Sequence, residues 1–278
     1  RDRQAGAARL ALNRAVRRAY PVAAVTSRDR LPMTVPASPD VIPALPVPRV
    51  PVRGGGTFPV HRIYCVGRNY ADHAREMGAA PPPKAERGLP AFFMKPADAV
   101  APGGDFPYPA STAMLHHEVE LVVALGADAP GGGVVAEADA AGLIFGYGVG
   151  LDLTRRDLQA AAKAKGLPWD TGKGFDHSAP ISELVPAAQA GDLSARRLSL
   201  QVNGELRQQS TLDQMIWSVA DIVHDLSTLF ALRAGDLIYT GTPAGVAALQ
   251  PGDAYVAEVE GLVTLRGRVL PAFSAPVR

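Results

Sequence analysis

Residues 116–126, with the sequence HHEVELVVALG, form the stretch that decides the fold. Val and Leu dominate the run after Glu120, and Gly126 ends it, which is the pattern of a buried β-strand. Successive side chains of a strand point to opposite faces, so Glu118 and Glu120 should share one face. A second apolar run, GLIFGYGVGLD at residues 142–152, predicts another strand. The core of the molecule is therefore expected to be sheet.

Outward from these two strands, the chain is organised as short apolar runs between turn residues. Two helices are predicted, one at 154–166, with Asp152 or Thr154 as its N-cap, and one at 215–230. Strands dominate and do not alternate regularly with long helices, which predicts an α+β fold with a curved, mostly antiparallel or mixed sheet. Further strands, rich in Val, Ile, Leu and Tyr, are predicted at residues 61–67, 198–204, 235–241 and 254–269.

Composition limits the classes of protein that this chain can belong to. Of 278 residues, 47% are hydrophobic and 20% charged, and the 28 Gly and 25 Pro exclude a collagen, a disordered chain and a simple helical bundle. Outside an Arg-rich leader the chain is slightly acidic, so nucleic acid is not an expected partner. No apolar run reaches the roughly 18 residues that a membrane span needs. The single cysteine, Cys65, excludes an intramolecular disulfide and predicts a reducing compartment, the cytoplasm.

The sequence divides into an N-terminal extension, residues 1–57, and a single domain, residues 58–278, which carries the candidate catalytic residues. Residues 1–32 combine eight Arg with two Asp, and we interpret Met33 as the native start and the leader as added or upstream sequence. An organellar transit peptide and a helix that binds an anionic partner are the alternatives. The stretch 36–59 is rich in Pro, which predicts an extended, helix-free arm outside the core.

Three carboxylates are candidate metal ligands. Glu118 and Glu120 repel each other unless a cation lies between them, although a solvated strand face would carry the same pattern. Asp152 ends an apolar strand where a helix is predicted to start, a position often open to a cleft, although an N-cap is the simpler role. Without an adjacent cysteine, three carboxylates favour Mg2+ or Mn2+ over zinc. His117, beside Glu118, is a candidate hydrogen-bonding support for this site.

A histidine and a glutamate form a candidate general base. His73 and Glu76 are three residues apart, so on a helix they share a face, and the carboxylate can orient the imidazole and stabilise its charged form. Idle surface neighbours show the same spacing. Lys173, between two glycines, would be exposed unless its surroundings bury it. The sequence GTPAG at 241–245 lacks the lysine of a phosphate-binding loop and predicts a tight turn that brings backbone amides close to another group.

Seven stretches together resemble the fumarylacetoacetate hydrolase family. They occur in the family's order, and the resemblance extends from about residue 58 to residue 270. Within the family, the acylpyruvate-cleaving members are most similar, and residues 58–78 resemble those that act on fumarylpyruvate in gentisate breakdown. The stretches are CVGRNYADHAREMG (65–78), FFMKPADAV (92–100), HHEVELVVALG (116–126), GYGVGLDLTRRDLQ (146–159), KGLPWDTGKGFDHSAP (165–180), VNGELRQQSTLDQMIW (202–217) and GDLIYTGTPAGV (235–246).

The resemblance implies a mixed β-sandwich roll, a homodimer and one divalent metal ion, Mg2+ or Mn2+. It also implies a role for nine residues of this sequence. The metal ligands would be Glu118, Glu120 and Asp152, the catalytic residues His73, Glu76 and Lys173, and the residues that hold the pyruvoyl end or the developing oxyanion Arg156, Gln159 and Thr242.

The activity that the resemblance implies is hydrolysis of a carbon–carbon bond in an acylpyruvate, a small-molecule oxo acid. Fumarylpyruvate would give fumarate and pyruvate. An oxaloacetate decarboxylase and a 2-oxo acid isomerase or tautomerase remain alternatives, although the dyad favours hydrolysis because decarboxylation needs no activated water. A silent metal-stabilised binding protein is disfavoured because both dyad residues are present. The second carboxylate of a fumaryl group needs a cation, and Arg75, Lys84 and Arg87 lie near a segment that acts as a lid in relatives.

Overall fold

The computed structural model describes residues 40–78 and 87–272. The Arg-rich leader, Met33 and Lys84 therefore lie outside the described residues. A compact unit begins at Leu45, so the last part of the stretch assigned above to the N-terminal extension belongs with the residues that follow it. Among the described helices, none combines the length and the apolar character that a membrane crossing requires.

Strands make up most of the regular structure, as the short apolar runs predict. In chain order the described strands are β1 (Arg49–Pro51), β2 (Thr57–Pro59), β3 (Arg62–Gly67), β4 (Ala91–Lys95), β5 (Val100–Pro102), β6 (Phe106–Pro107), β7 (Leu115–His116), β8 (Val119–Leu125), β9 (Ile144–Leu151), β10 (Thr154–Arg155), β11 (Ala179–Ile181), β12 (Val185–Pro186), β13 (Arg197–Val202), β14 (Glu205–Thr211), β15 (Asp236–Tyr239), β16 (Ala254–Val259) and β17 (Val263–Leu270).

Helices are short and lie between the strands. The described α-helices are α1 (Ala71–Glu76), α2 (Arg156–Ala164), α3 (Asp170–Lys173), α4 (Ala187–Ala190) and α5 (Val219–Ser227). Short 3-10 segments occur at Ala97–Ala99, Pro130–Gly132, Glu137–Leu143 and Leu212–Gln214.

Two curled sheets form the body of the molecule. The larger sheet has the spatial order β4-β3-β15-β8-β9-β11-β5, with β12 also paired to β9. Within it β3–β15 and β5–β11 are parallel, and the other neighbours are antiparallel. The smaller sheet has the order β14-β13-β16-β17-β6, and only β17–β6 is parallel. This mixed architecture confirms the predicted α+β fold.

Strand β8 lies between two apolar cores, which explains its unbroken apolar sequence. Leu121 and Val123 pack in the core that includes residues of β13 and β16. Val122 and Ala124 pack on the other face, in the core that includes residues of β1 and β3. Because alternate residues face opposite cores, both faces must be apolar. Glu120 continues the Val122 face, so the alternation of the strand directs this carboxylate away from the first core.

The predicted strands are present, with ends shifted by one or two residues. The exception is 254–269, which forms two strands, β16 and β17, joined by a turn rather than one continuous strand. Gly261 occupies this turn with a φ of 65°, a conformation that glycine adopts without steric cost. The glycine was the signal for a hairpin within the apolar run.

The helix predicted at 154–166 is shorter than expected, and its predicted N-caps were wrong. Residue Arg155 occupies the N-cap of α2, without a side-chain capping bond. Thr154 is still in an extended conformation, because β10 pairs with β7. Asp152 does not cap the helix either, and its carboxylate is held by lysines, as described below.

The helix predicted at 215–230 begins later, at Val219. Ser218 caps α5 by accepting a hydrogen bond from the backbone N–H of Asp221, and the Asp221 side chain in turn accepts from the Ser218 N–H, which forms a capping box. Before the cap the chain is not helical, and the Ile216 N–H donates to the Asn69 carbonyl at 2.8 Å. The helix was predicted to begin too early because the prediction used apolar spacing and not the capping residue Ser218.

Part of the Pro-rich stretch lies in the core, in contrast to the predicted arm. Strands β1 and β2 form a hairpin whose Val50 and Phe58 are buried. The hairpin is also fixed to the larger sheet, since the Arg53 N–H donates to the Leu184 carbonyl at 2.9 Å. The prolines keep this segment extended, as predicted, but its apolar residues contribute to burial.

Candidate active site

Three buried carboxylates converge where β8 begins and β9 ends. Glu118 immediately precedes β8, Glu120 lies within it, and Asp152 immediately follows β9. The antiparallel pairing of β8 and β9 brings these positions together, and the Asp152 N–H donates to the Glu118 carbonyl at 2.8 Å. One carboxylate oxygen from each residue lies within 4.8 Å of the other two. Glu118, Glu120 and Asp152 are called the carboxylate cluster below.

A buried lysine joins two members of the carboxylate cluster. Lys173 Nζ lies 2.6 Å from Glu118 Oε2 and 2.6 Å from Asp152 Oδ2. Its side chain is only 3% exposed, so the exposure expected for a lysine between glycines was wrong. Burial lowers the pKa of Lys173, but the Asp152 and Glu118 carboxylates outweigh it and raise that pKa overall.

Two further cations contact the same carboxylates. Lys95, which the sequence did not single out, is fully buried, with Nζ 2.8 Å from Asp152 Oδ1 in an ion pair. Arg156 contacts Glu118 Oε1 through its guanidinium. Burial raises the pKa of Glu118, but Lys173 and Arg156 hold it well below its usual range. A single lysine in the apolar strand FFMK was the available signal for Lys95.

Glu120 differs from the other two carboxylates, because no cation pairs with it among the described residues. It accepts a hydrogen bond from the Gly241 N–H at 2.8 Å, as the predicted turn at 241–245 suggests. Gly241 has a φ of 103°, and a Cβ there would lie 2.5 Å from the Asn69 Cβ, so the turn needs glycine. Burial, with Asp152 and Glu118 nearby, raises the pKa of Glu120 well above its usual range.

The carboxylate cluster fits a hard divalent cation. Its donors are oxygens alone, and the oxygens are close enough to share one ion. The two lysines pair with the neighbouring carboxylates and not with Glu120. A dication would therefore also relieve the repulsion between Glu120 and those carboxylates. His117 does not support this cluster directly, since its Nδ1 hydrogen-bonds to Gln208 Oε1 at 2.8 Å. That part of the sequence-based expectation was wrong.

The structure places His73 and Glu76 together on α1, as their spacing predicts. His73 Nδ1 lies 3.1 Å from Glu76 Oε2, and the imidazole is buried. Glu76 Oε1 accepts a second bond from the Gly245 N–H at 3.2 Å, which ties the dyad to the turn after β15. Because a carboxylate accepts the Nδ1 proton, the Nε2 atom of His73 is the end left free for proton transfer.

Most of the candidate residues line one cavity that is partly open to solvent. Glu118, Glu120 and His73 line it, and so does Lys173. The candidate substrate-binding residues Arg156, Gln159 and Thr242 also line it. The structure therefore brings candidate ligands, base and substrate-binding groups together around one cavity.

Arg156 is fixed by its neighbours at this cavity. Its NH1 donates to Gln159 Oε1 at 2.6 Å, which leaves the Gln159 NH2 group as the free end of that amide. Its Nε lies 3.3 Å from His116 Nδ1. Burial, together with the Arg156 charge, lowers the pKa of His116 to about 4, so this histidine is a neutral acceptor near pH 7.

Gln208 on β14 controls the hydrogen-bond direction of Thr242, and sequence reasoning missed it. Its Oε1 accepts from the Val119 N–H at 3.1 Å, and its Nε2 donates to the Pro243 carbonyl at 2.8 Å. These backbone partners fix the amide, so Nε2 also donates to Thr242 Oγ1 at 2.9 Å. The Thr242 hydroxyl must accept this bond, and its own proton is directed to another acceptor. In the structure Gln208 is buried while its strand neighbours are exposed, and the sequence does not indicate this.

Comparison with known proteins shows which family the chain belongs to. Residues 62–270 match the fumarylacetoacetate (FAA) hydrolase C-terminal family. The chain belongs to this family. Its fold also matches the crystal structure of fumarylpyruvate hydrolase from Pseudomonas aeruginosa in complex with Mn2+ and pyruvate. The TM-score is 0.78 at 47% identity, and the match covers 84% of this chain and 99% of that one.

Relatives with two different activities are about equally similar to this family member. Mitochondrial oxaloacetate tautomerase FAHD1 of Rattus norvegicus is 45% identical over 208 residues, which cover 74% of this chain and 90% of the relative. Fumarylpyruvate hydrolase of Ralstonia sp is 45% identical over 181 residues, which cover 65% of this chain and 92% of the relative. The family and these relatives are enzymes, but overall similarity does not choose between hydrolase and tautomerase.

Proposed function

We propose that this chain is a metal-dependent hydrolase that cleaves the carbon–carbon bond of an acylpyruvate, with fumarylpyruvate giving fumarate and pyruvate. One observation carries the proposal: His73, oriented by Glu76, lines the same cavity as Glu118 and Glu120. A cation site alone serves many reactions of 2-oxo acids, whereas hydrolysis needs a base that activates water. The fumarylpyruvate hydrolases of Ralstonia and Pseudomonas aeruginosa support this choice of substrate.

The carboxylate cluster would hold Mg2+ or Mn2+, and the Mn2+ in the Pseudomonas aeruginosa structure supports such an ion. When bound, the ion would supply Lewis-acid charge that orients the pyruvoyl end and offsets negative charge developing there. Arg156 offers a guanidinium to the substrate carboxylate, and Thr242 offers the hydroxyl proton that Gln208 leaves available. These contacts would position the bond to be cleaved.

His73 would act as the general base. Its Nε2 would take a proton from a water molecule as that water attacks the acyl carbonyl carbon. Glu76, bonded to Nδ1, would stabilise the imidazolium that forms. Base catalysis of this kind contributes about 10²–10⁴ in rate.

Lys173 and Gln159 would stabilise the tetrahedral oxyanion. Two of the three Lys173 ammonium protons are directed to Glu118 and Asp152, and the third is available to the cavity. Gln159 contributes its free NH2 group. Collapse of the oxyanion would break the carbon–carbon bond and leave the electron pair on the pyruvate enolate. The His73 imidazolium would then return a proton to carbon, which completes the addition of water.

The decisive test is hydrolysis of fumarylpyruvate by the Mn2+-loaded or Mg2+-loaded protein. We expect fumarate and pyruvate in equal amounts. His73→Ala should lower kcat by about 10²–10⁴ while pyruvate binding is retained. Asp72→Ala, which changes an exposed residue of the same helix, is the matched control and should leave kcat near normal. Near-normal hydrolysis by the His73→Ala variant would refute the dyad assignment.

Oxaloacetate tautomerisation is the second candidate, because relatives from Rattus norvegicus and Escherichia coli are named for that activity. The same base could move a proton between carbon and oxygen without adding water. The ratio of kcat/KM for fumarylpyruvate hydrolysis to that for oxaloacetate tautomerisation separates the candidates. A ratio well below one would replace the hydrolase by the tautomerase, and release of CO2 from oxaloacetate would reveal a decarboxylase.

We retain three further predictions as part of this proposal. The family resemblance implies a homodimer, the single cysteine favours the cytoplasm, and the substrate implies a role in gentisate breakdown. Sedimentation equilibrium tests the first, with an expected mass twice that of one chain.

A further inference from the structure

Two cations at the cavity have no carboxylate partner among the described residues. Arg68 and Lys163 both line the cavity that holds His73 and Glu118. The arginines that sequence reasoning offered for a second substrate carboxylate are engaged elsewhere, Arg75 with Asp72 and Arg87 with Asp221. The unpaired positive charge is therefore at Arg68 and Lys163, which sequence reasoning did not single out.

An aromatic wall leads from the carboxylate cluster to Lys163. Lys173 Nζ, bonded to the cluster, lies 4.9 Å from the centroid of the Phe93 ring. The Phe93 and Trp169 centroids are 6.0 Å apart, and Lys163 Nζ lies 5.6 Å from the Trp169 centroid. Both rings line the cavity. Such a wall suits a flat, apolar carbon chain with a charge at each end.

Two local features indicate that Arg68 and Lys163 form an anion-binding site. Burial lowers the pKa of Lys163, and the nearby Arg68 and Arg156 charges lower it further, so Glu118, which opposes this shift, compensates the positive groups here only in part. Arg68 has a φ of 61°, a conformation that residues other than glycine seldom adopt and that is concentrated at ligand sites. A bound carboxylate would relieve the repulsion among the three cations.

We propose that Arg68 and Lys163 bind the terminal carboxylate of an acylpyruvate whose acyl chain itself ends in a carboxylate. The assignment rests on the proposed function and narrows its substrate class. The pyruvoyl end would lie at the carboxylate cluster, and the acyl chain would follow Phe93 and Trp169. In fumarylpyruvate the second carboxylate is three carbon atoms farther along the chain than in oxaloacetate. Acetylpyruvate has none, so these residues would select an extended diacid.

The test uses ligands that bind but cannot be cleaved. Saturated 2-oxo diacids of five to seven carbons are titrated calorimetrically into the Mn2+-loaded protein, beside 2-oxo monoacids of equal chain length. The ratio of diacid to monoacid affinity isolates the effect of the terminal carboxylate. We expect this ratio to be largest for 2-oxopimelate, which has the seven-carbon chain of fumarylpyruvate.

Variants identify the cations responsible. Arg68→Met and Lys163→Met should each lower the 2-oxopimelate ratio about tenfold, as expected for a partly exposed charged contact, and leave monoacid affinity unchanged. Lys165→Met is the matched control, since Lys165 is exposed and does not line the cavity, and it should keep the ratio. Melting temperatures verify that each variant is folded.

The outcomes separate this assignment from the proposed function. A ratio that is equal at all lengths, that is largest for 2-oxoglutarate, or that survives both substitutions would overturn the assignment. If the length-dependent ratio and its loss are observed but fumarylpyruvate is not hydrolysed, the two cations keep their role and the proposed hydrolase activity fails.

Discussion

The two ends of the cavity differ in whether their charged side chains are paired. At the inner end, Glu118 and Asp152 are paired with buried cations of the same chain. At the outer end, Arg68 and Lys163 have no carboxylate partner among the described residues. Removing a charge from a compensated buried pair exposes its partner to an apolar surrounding, whereas removing an uncompensated, partly exposed charge does not. The inner end should therefore govern stability and chemistry together, and the outer end only ligand choice.

The largest expected effect comes from Lys173→Met, which would break the inner end. It leaves two buried carboxylates without their shared cation, so we expect the free energy of unfolding to fall by about 3–5 kcal/mol. Hydrolysis should be lost at the same time. Urea unfolding measures the effect, with Lys163→Met as the outer-end comparison. Equal free energies of unfolding for the two variants would contradict the claim that only the inner end contributes to stability.

Glu120→Gln should separate metal binding from folding. Within residues 40–78 and 87–272 no cation pairs with Glu120, so its neutralisation should change the stability of the metal-free protein little. Mn2+ at one hundred times its dissociation constant should stabilise the unsubstituted protein by about 2.7 kcal/mol. Most of this gain should disappear in the variant.

The same urea titrations, with and without Mn2+, supply the measurement for Glu120→Gln. Glu137→Gln, at an exposed position, is the control and should keep the full gain. A variant that retained the full Mn2+ effect would show that Glu120 is not a ligand. Chelation of the metal-loaded enzyme should abolish hydrolysis, and added Mg2+ or Mn2+ should restore it.

Gln208→Glu should weaken ligand binding through Thr242. A carboxylate cannot donate, so the Thr242 hydroxyl would turn to donate to it and would no longer serve the ligand. We expect pyruvate affinity to fall about tenfold, the typical value of one charge-assisted hydrogen bond. Thr242→Val should have a similar effect, and the double variant should be no weaker than either.

Calorimetric titration of pyruvate measures this coupling. Gln209→Glu makes the same change on the exposed face of the strand and should bind normally. Additive losses in the double variant would mean that Gln208 acts independently of Thr242.

The smallest effect on function should come from Asp221→Ala, which lies outside the cavity lining and serves as a reference for stability. Burial raises the pKa of Asp221, but hydrogen bonds from Ser218 and Arg87 outweigh it and lower that pKa overall. The stabilisation is therefore complete above the unfolded-state pKa of about 3.9 and is lost as pH falls through the lower folded-state pKa. At pH 7 the variant should lose about 1–3 kcal/mol of stability, because the Arg87 guanidinium and the Ser218 N–H lose their acceptor.

Thermal unfolding as a function of pH tests the Asp221→Ala prediction. The difference from the unsubstituted protein should shrink toward zero in acid. A difference that stays constant down to the lowest pH would show that the carboxylate charge is not involved.

The sequence predicts the inner end better than the outer end. Glu118 and Glu120 could be predicted to share a face because strand alternation is local, and His73 and Glu76 because helical spacing is local. Lys95 and Gln208 could not, since their roles arise from burial against segments far away in the chain. The exposure expected for Lys173 was wrong for the same reason. The N-cap predicted at Asp152 failed because its carboxylate has stronger partners in two lysines.

The alternation of β8 has a consequence for how this scaffold can diverge. Inserting or deleting a single residue between Glu118 and Leu125 would move every following side chain to the opposite face of the strand. Acidic side chains would then face the apolar core and leucines would face the cavity, so the protein would lose both its fold and its activity. Arg68 and Lys163, beyond Phe93 and Trp169, are partly exposed and do not belong to the apolar core. On the proposal above, exchange of side chains there would change the substrate, while the strand that carries the carboxylate cluster stays in register.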